Sequence, residues 1–467
     1  MRIKEYFSRY QILLVFLFCF AYWFYLILST HMVIACDAMG YEALGKILAQ
    51  KDWLEYFRQG LNREPLYPFL VSLSIRLGVF LHISYQLIQV VIQFFIIFIT
   101  QLLMLYVLRR LKIKNWISAG IILYFGISPA IINSALSLFS EVSTYPLVLG
   151  VVVFAYQSWL SFFKEKSRVI LPAVLTSIFF LLLAFNKAIF EPVTLLFGVF
   201  VFGTTFFTGK RKVILNGFIW LIVFFAFFGS GTTGYRFMNK SFNGYFEITD
   251  RGKSLFYGSV IRRTEPLNKK RILSAFTYVA GENVCNALFG KEECDFWSFE
   301  KVDQFRFQKS NELVKKRLPP NRVDNELFLL SFPKIFHKPF QYFSLTFLES
   351  WKAFFWESAK IGFVSYPVLL ENIFNCVFLK NTLRAIMALL TFLSIVYSFY
   401  LLLLDRKNLF ICKENHNIVI LLTLILICLF NFFSALATIL PRHIFPIVPL
   451  YLILIGSFIQ ELFDLSP

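Results

Sequence analysis

Runs of about 20 apolar residues, separated by short basic connectors, recur along this chain and constrain its fold more than any other feature. A bilayer's hydrocarbon core is about 30 Å thick, and a helix needs about 20 residues to cross it. Lipid offers the backbone no hydrogen bonds, so each run must satisfy its own, as a helix does. About ten runs qualify, near residues 11–33, 84–108, 115–135, 142–163, 169–187, 190–208, 213–231, 383–404, 416–436 and 443–462. Of 467 residues, 58% are hydrophobic and 60 are Phe, more apolar surface than a soluble core needs. The expected fold class is an all-α polytopic membrane protein.

The connectors carry the orientation. "MRIKEYFSR" precedes the first run, "RRLKIKN" follows the second, "KEKSR" the fourth, "GKRK" the sixth and "DRK" the eighth. All fall on one side if the amino terminus is cytoplasmic, which is the positive-inside pattern. The carboxyl terminus is then cytoplasmic too. The net charge of +18 finds its partner in membrane lipid. No basic stretch with interleaved aromatics stands outside this pattern, so no nucleic-acid partner is expected.

"REPLYPFLVSLSIRLG", residues 63–78, tests the threading. A span here would move every later basic connector to the other side. Sixteen helical residues also reach only about 24 Å. Residues 63–80 therefore read as a juxtamembrane helix within a first outer loop, 34–83, with Pro65 and Pro68 in its first turn. A second outer segment, 232–382, separates an amino-terminal membrane module (1–231) from the last spans (383–467). Within it, 250–320 reads as small helices and loops. Residues 326–362 read as interfacial helices broken by Pro333 and Pro339, with Trp351 and Trp356 at headgroup depth; one more span there is the alternative. Cys285 and Cys294 fall in this polar segment and can form a disulfide if it is extracytoplasmic; the sequence leaves pairing and free thiols both open. Cys19, Cys376, Cys412 and Cys428 lie in or near apolar runs and read as packing residues. "VIAC", ending at Cys36, loosely fits a lipoprotein cleavage box, but the apolar run before it is too long for a signal peptide.

Ionisable groups at membrane depth are costly and usually have a job. Asp37 follows the first span, in "CDAMGYEALGKIL", with Tyr41 on the same helical face; it serves either as a helix cap or as a reactive carboxylate. Glu141, in "LSLFSEVSTYPLVLG", starts the fourth span with the same ambiguity. Lys187 and Glu191, four apart at the next outer turn, can pair with each other. Arg442 and His443 stand at the outer end of the last span, where Arg442 can also snorkel to headgroups. Arg63 and Arg251 complete the set. Sugar transfer on that face would need a membrane-borne donor such as a polyprenyl phosphate sugar. It asks for a carboxylate to take the acceptor hydroxyl's proton, and for cations to stabilise the departing lipid phosphate.

The pattern "CDAMGYEALGKIL…REPLYPFLVSL", then "SEVSTYPLVLG", then "RHIFPIVPLYLIL" resembles the GT-C superfamily of integral-membrane glycosyltransferases. The resemblance is to bacterial members related to protein O-mannosyltransferases and the aminoarabinose transferase of lipid A. It runs over the whole topology, with sharp motifs in about a fifth of the chain. It implies that Asp37 is the catalytic base or lies at the catalytic centre, with Glu141 the acid of the fourth span. It also matches Arg63–Pro68 to a basic-Pro element, Lys187 to a basic residue ending the fifth span, and Arg442–Pro446 to the final element. His443 stands where an aromatic is common, and Ala38 where many members carry a second acid.

The implied reaction inverts the sugar in one step. Asp37 takes or positions the acceptor proton. Lys187, Arg251 and Arg442 hold the phosphate with Arg63 in support, and Tyr41 and Tyr67 line the sugar site. Glu141 orients the acceptor, which is a lipid, glycan or protein. No metal is obligatory; a divalent cation held by Asp37 and Glu141 is the alternative. The expected location is a bacterial inner membrane with the active site extracytoplasmic. Competing functions are a surface-polysaccharide polymerase or ligase, whose chemistry rests on later arginine-rich loops, and a lipid-linked saccharide transporter, which would show repeated halves and midplane charges.

Overall fold

The structure, a computed structural model, describes the chain except residues 1, 61–62, 250, 359–362, 407, 411–414, 438 and 466–467. The side chains of 2–9, 251, 320–321, 358, 441 and 465 also lie outside the description, and Cys412 falls within an undescribed stretch.

The chain is almost entirely helical. Among the described residues, eight helices are long and apolar enough to cross a membrane. They are Tyr10–Ser29, Tyr85–Arg110, Glu141–Phe162, Ser167–Asn186, Arg211–Asn243, Val377–Leu404, Asn417–Ala437 and Arg442–Asp464. The protein is thus an all-α, polytopic integral membrane protein. Two further runs expected to span differ in form. Residues 115–135 make a pair of helices, Asn115–Ile127 and Pro129–Leu136, bent by 45°. Ser128 caps the second and Pro129, lacking an N–H, opens it, which breaks the ladder at this point. Residues 190–208 form the shorter Phe190–Phe206. Helix Arg211–Asn243 has 33 residues and runs about 50 Å, so the boundary drawn at 231/232 falls inside it.

Residues 63–80 form one helix, Leu66–Leu81, with Pro65 at its cap and Pro68 in its first turn. It packs closely on Asp37–Gln50, because a Cβ on Gly45 would stand 2.6 Å from Val71 Cγ1. Only hydrogen fits there. This contact fixes the angle at which the Asp37 helix leaves the first span. A two-residue antiparallel bridge, His31–Met32 with Val364–Ser365, ties down the link before it.

Residues 251–320 are short helices as expected, and Cys285 and Cys294 are disulfide-bonded. Cys19 is buried, whereas Cys376 and Cys428 are exposed rather than packed inside. Pro333 does not break its helix, which runs Pro320–His337; the break comes at Lys338, and Pro339 opens Pro339–Ser350. The latter is two-faced: Phe340, Phe343 and Phe347 are exposed, while Tyr342, Leu345 and Glu349 are buried. Trp351 is partly exposed, but Trp356 is fully buried within the protein. The short 3-10 helix Trp351–Ser358 turns it fully inward, towards Thr391 of Val377–Leu404.

Buried charge joins these helices to the bundle. Glu349 is gripped by Arg262, Arg263 and Lys352. Burial alone would push its carboxyl up; the three cations outweigh it and hold the group well below the usual carboxylate range. Arg263 also donates to the carbonyls of Ala435 (2.7 Å) and Leu436 (3.2 Å), at the end of Asn417–Ala437. Beyond that end the chain leads to Arg442.

Glu357 sits at the bend between Ile127 and Pro129. It accepts from the hydroxyls of Tyr124 (2.5 Å) and Ser128 (2.8 Å) and from the Ala130 amide (3.4 Å). Burial pushes its carboxyl up to about 7, with these donors only partly opposing it.

Two outcomes follow from these contacts. Gly45→Leu should lower the thermal midpoint of the detergent-solubilised protein, costing about 1–3 kcal/mol through overpacking against Val71. Because the Glu357 carboxyl is raised in the folded state, the stability it contributes is present at acidic pH and is lost as pH rises towards 7. Melting curves should therefore show Glu357→Gln equal to the parent near pH 4 and more stable, by up to about 3 kcal/mol, above pH 7.

Candidate functional site

Asp37 is the first residue of its helix, one past the capping position, which Cys36 holds with a positive φ of 50°. That backbone is uncommon for a residue with a side chain. It turns the chain so that the carboxylate faces two guanidinium groups. Arg63 Nη2 is 2.7 Å from Asp37 Oδ1, and Arg442 Nη2 is 2.9 Å from Oδ2. Asp37 is therefore an ion-pair centre as well as a helix-starting residue. Three segments far apart in sequence meet at this one side chain.

The two arginines differ. Arg63 is only 7% exposed and lies over the Tyr41 ring, 4.2 Å from its centroid. Gly40 leaves room for it, since a Cβ there would come within 2.9 Å of Arg63 Nε. Burial works against its charge, but Tyr41 and Asp37 outweigh that and hold its guanidinium above its ordinary value. Arg442 is 29% exposed and rests near Phe139. It is the freer of the two. His443 is half-buried beside it in the short 3-10 helix Pro441–Ile447.

Glu141 and Lys187 form the second pair, 2.9 Å apart and both largely buried. Arg442 is near enough for its charge to act on Glu141. Lys187 does not pair with Glu191 as the spacing suggested. It sits in extended backbone at the end of Ser167–Asn186, so the two residues do not share a helix face. Glu191 pairs with Arg236 instead. Asn186 ties the turn to the Glu141 helix, donating to the Ser140 carbonyl (2.9 Å) and accepting from Ser143 Oγ (3.0 Å).

Tyr41 and Tyr67 support this floor. Their rings meet edge-on at 4.8 Å. Tyr41 hydroxyl bonds Ser140 Oγ (2.9 Å), and Tyr67 hydroxyl donates to Gln93 Oε1 (2.6 Å). Both hydroxyls are thus engaged by the protein. Burial pushes the Tyr41 hydroxyl up, with Lys187 and Arg63 opposing. Arg251 opens helix Arg251–Thr264, and its side chain lies outside the described residues.

Sequence reasoning missed three acids. Glu64 accepts from the Ala188 amide at 3.0 Å and so locks the first loop onto the Lys187 turn. It stands beside Arg63 and Pro65, and that proximity was its only signal. Asp303, on helix Phe299–Lys315, is close enough to feel the Asp37 charge, which adds to burial in pushing its carboxyl up while Arg306 opposes. Glu357 was hidden in an aromatic run. Asp37 and Glu141 each face cations, and among the described residues no three His, Cys, Asp or Glu side chains gather as a metal site. No family model, curated protein or solved structure matches the chain.

Removing one member of a buried pair strands the other charge. Lys187→Met should therefore destabilise the protein by about 3–5 kcal/mol in detergent unfolding, and adding Glu141→Gln should restore most of that loss.

Proposed function

We propose that the protein is a GT-C type glycosyltransferase that moves a sugar from a polyprenyl-phosphate donor to an acceptor hydroxyl. The observation that carries this reading is the Asp37 carboxylate held between Arg63 and Arg442, with the Lys187–Glu141 pair adjoining through Arg442. One base and three cations at one end of a membrane bundle suit an acid-base transfer with a phosphate leaving group.

The arrangement also suggests how the parts divide the work. In the resting site the two guanidinium groups occupy both oxygens of Asp37 and leave one net positive charge. A lipid phosphate competes for them, and Arg442, the more exposed, moves to it more readily than the buried Arg63. Asp37 is then released to take the acceptor's proton as the acceptor oxygen bonds the anomeric carbon and the polyprenyl phosphate departs. Lys187 supplies further positive charge, and Glu141 holds Lys187 in place. No step requires a metal.

The reading has a topology. Ten spans, counting the bent pair and Phe190–Phe206, put both termini in the cytoplasm and the site on the extracytoplasmic face of a bacterial inner membrane. The outer parts are then the first loop, 34–83, and a larger loop domain within 232–382. Two observations support this: basic connectors lie on the opposite side from Asp37 in the threading, and the Cys285–Cys294 disulfide belongs in an oxidising compartment.

Purified protein supplied with a polyprenyl-phosphate sugar should yield a glycosidic product. Asp37→Asn should reduce that yield about a hundred- to ten-thousand-fold while the protein still inserts and elutes as one species. Full activity in this variant would remove Asp37 from the mechanism, and substrate movement without a product would favour transport. Mass spectrometry of co-purified lipid should find a polyprenyl phosphate, reduced in Arg442→Ala.

A further inference from the structure

Behind the Asp37 cluster, a line of buried polar groups enters the bundle, and the transfer chemistry leaves most of it unused. Glu141 uses one carboxylate oxygen on Lys187; the other, Oε2, is buried and has no hydrogen-bond partner among the described residues. Tyr145 follows at i+4 on the same helix, fully buried. Its hydroxyl lies against the buried hydroxyl of Ser134, and neither has another side-chain or backbone partner among the described residues. Tyr145 feels the charge of Glu141 on one side and of Glu357 on the other. Glu357 ends the line with Ser128 and Tyr124.

Buried polar atoms in native proteins nearly always find a partner, and where the protein offers none, ordered water does. Here an open carboxylate oxygen of Glu141 and the Tyr145–Ser134 hydroxyl pair stand between two carboxyl groups. A file of this kind is polar throughout, so water placed in it meets several partners. We propose that ordered water bridges Glu141, Tyr145 and Ser134 and makes this file a proton path from the Asp37 site to Glu357.

Glu357 suits the far end. Its partners are hydroxyls and an amide, none of them basic. Arg384, from the neighbouring Val377–Leu404, stacks on Phe355 instead. Arg442 pairs with Asp37, and neither Arg442 nor His443 of Pro441–Ile447 is among its partners. With its carboxyl poised at about 7, acid and anion are both populated near neutrality. As the proton store of a transferase, the path rests on the function proposed above. The proton leaving the acceptor hydroxyl passes to Asp37, then to water at Glu141, and by successive exchange to the Glu357 carboxylate. Once product has left it returns the same way and is lost from the partly exposed Asp37 to water, which restores the base.

The path can be read without substrate, so its failure leaves the transferase reading standing. Full-length protein in lipid nanodiscs is studied by infrared difference spectroscopy, with the protonated-carboxyl stretch assigned by its loss in Glu357→Gln. The band should be present near pH 6 and gone near pH 8, and in heavy water it should shift as the proton exchanges. Tyr145→Phe and Ser134→Ala should each slow that shift about tenfold, with unchanged melting temperature and backbone amide exchange. Absence of a Glu357 band near pH 6 would overturn the proposal. So would exchange at the parent rate in both variants, or slowing that appears equally in the backbone amides.

Discussion

One carboxylate organises the architecture. Asp37 draws Arg63 from the first loop and Arg442 from the start of the last span onto its two oxygens. Charges removed from water are stable only when paired, so each of these segments is held where its partner is. The helix after Arg63, Leu66–Leu81, packed closely at Gly45, and the turn at Lys187 locked by Glu64 both keep that geometry. The tyrosine floor does the same from below, with its hydroxyls turned into the protein rather than outward.

A second set of charges reaches the same place from the opposite direction. Glu349 and its three cations join the helices of 251–358 to the end of Asn417–Ala437, and Arg263 seizes the carbonyls there. A helix end has unsatisfied carbonyls and a partial negative charge, so a guanidinium is a suitable stop. The chain then has few residues left before Arg442. The position of Arg442 is thereby constrained from both sides, by Asp37 ahead and by this grip behind.

The membrane helices were legible because their signal is collective: about 20 residues must agree on apolarity, and local detail hardly matters. Leu66–Leu81 was legible as a short helix because its apolar run falls below the length of a span. Asp37, Arg63, Glu141, Lys187 and Arg442 were singled out because charge at a span's edge is rare. Their pairing was not legible. Spacing suggested Lys187 with Glu191, but a helix ends between them and the partners come from other elements. Trp356 and Glu357 show the complementary limit. In sequence they sit in an aromatic stretch that suits an interface, and only the 3-10 turn of Trp351–Ser358 sends them inward. The bend at Ser128 was likewise inside a run that apolarity alone made continuous.

The bond between Arg442 and Asp37 spans 405 positions of sequence, whereas that between Arg63 and Asp37 spans 26. During synthesis the second can close while most of the chain is still on the ribosome. The first must await the final helix. Until Arg442 arrives, Asp37 holds a single cation on Oδ1, and its second oxygen lacks the partner that fixes it in the folded protein. The geometry around Asp37 is therefore among the last parts of the fold to be set.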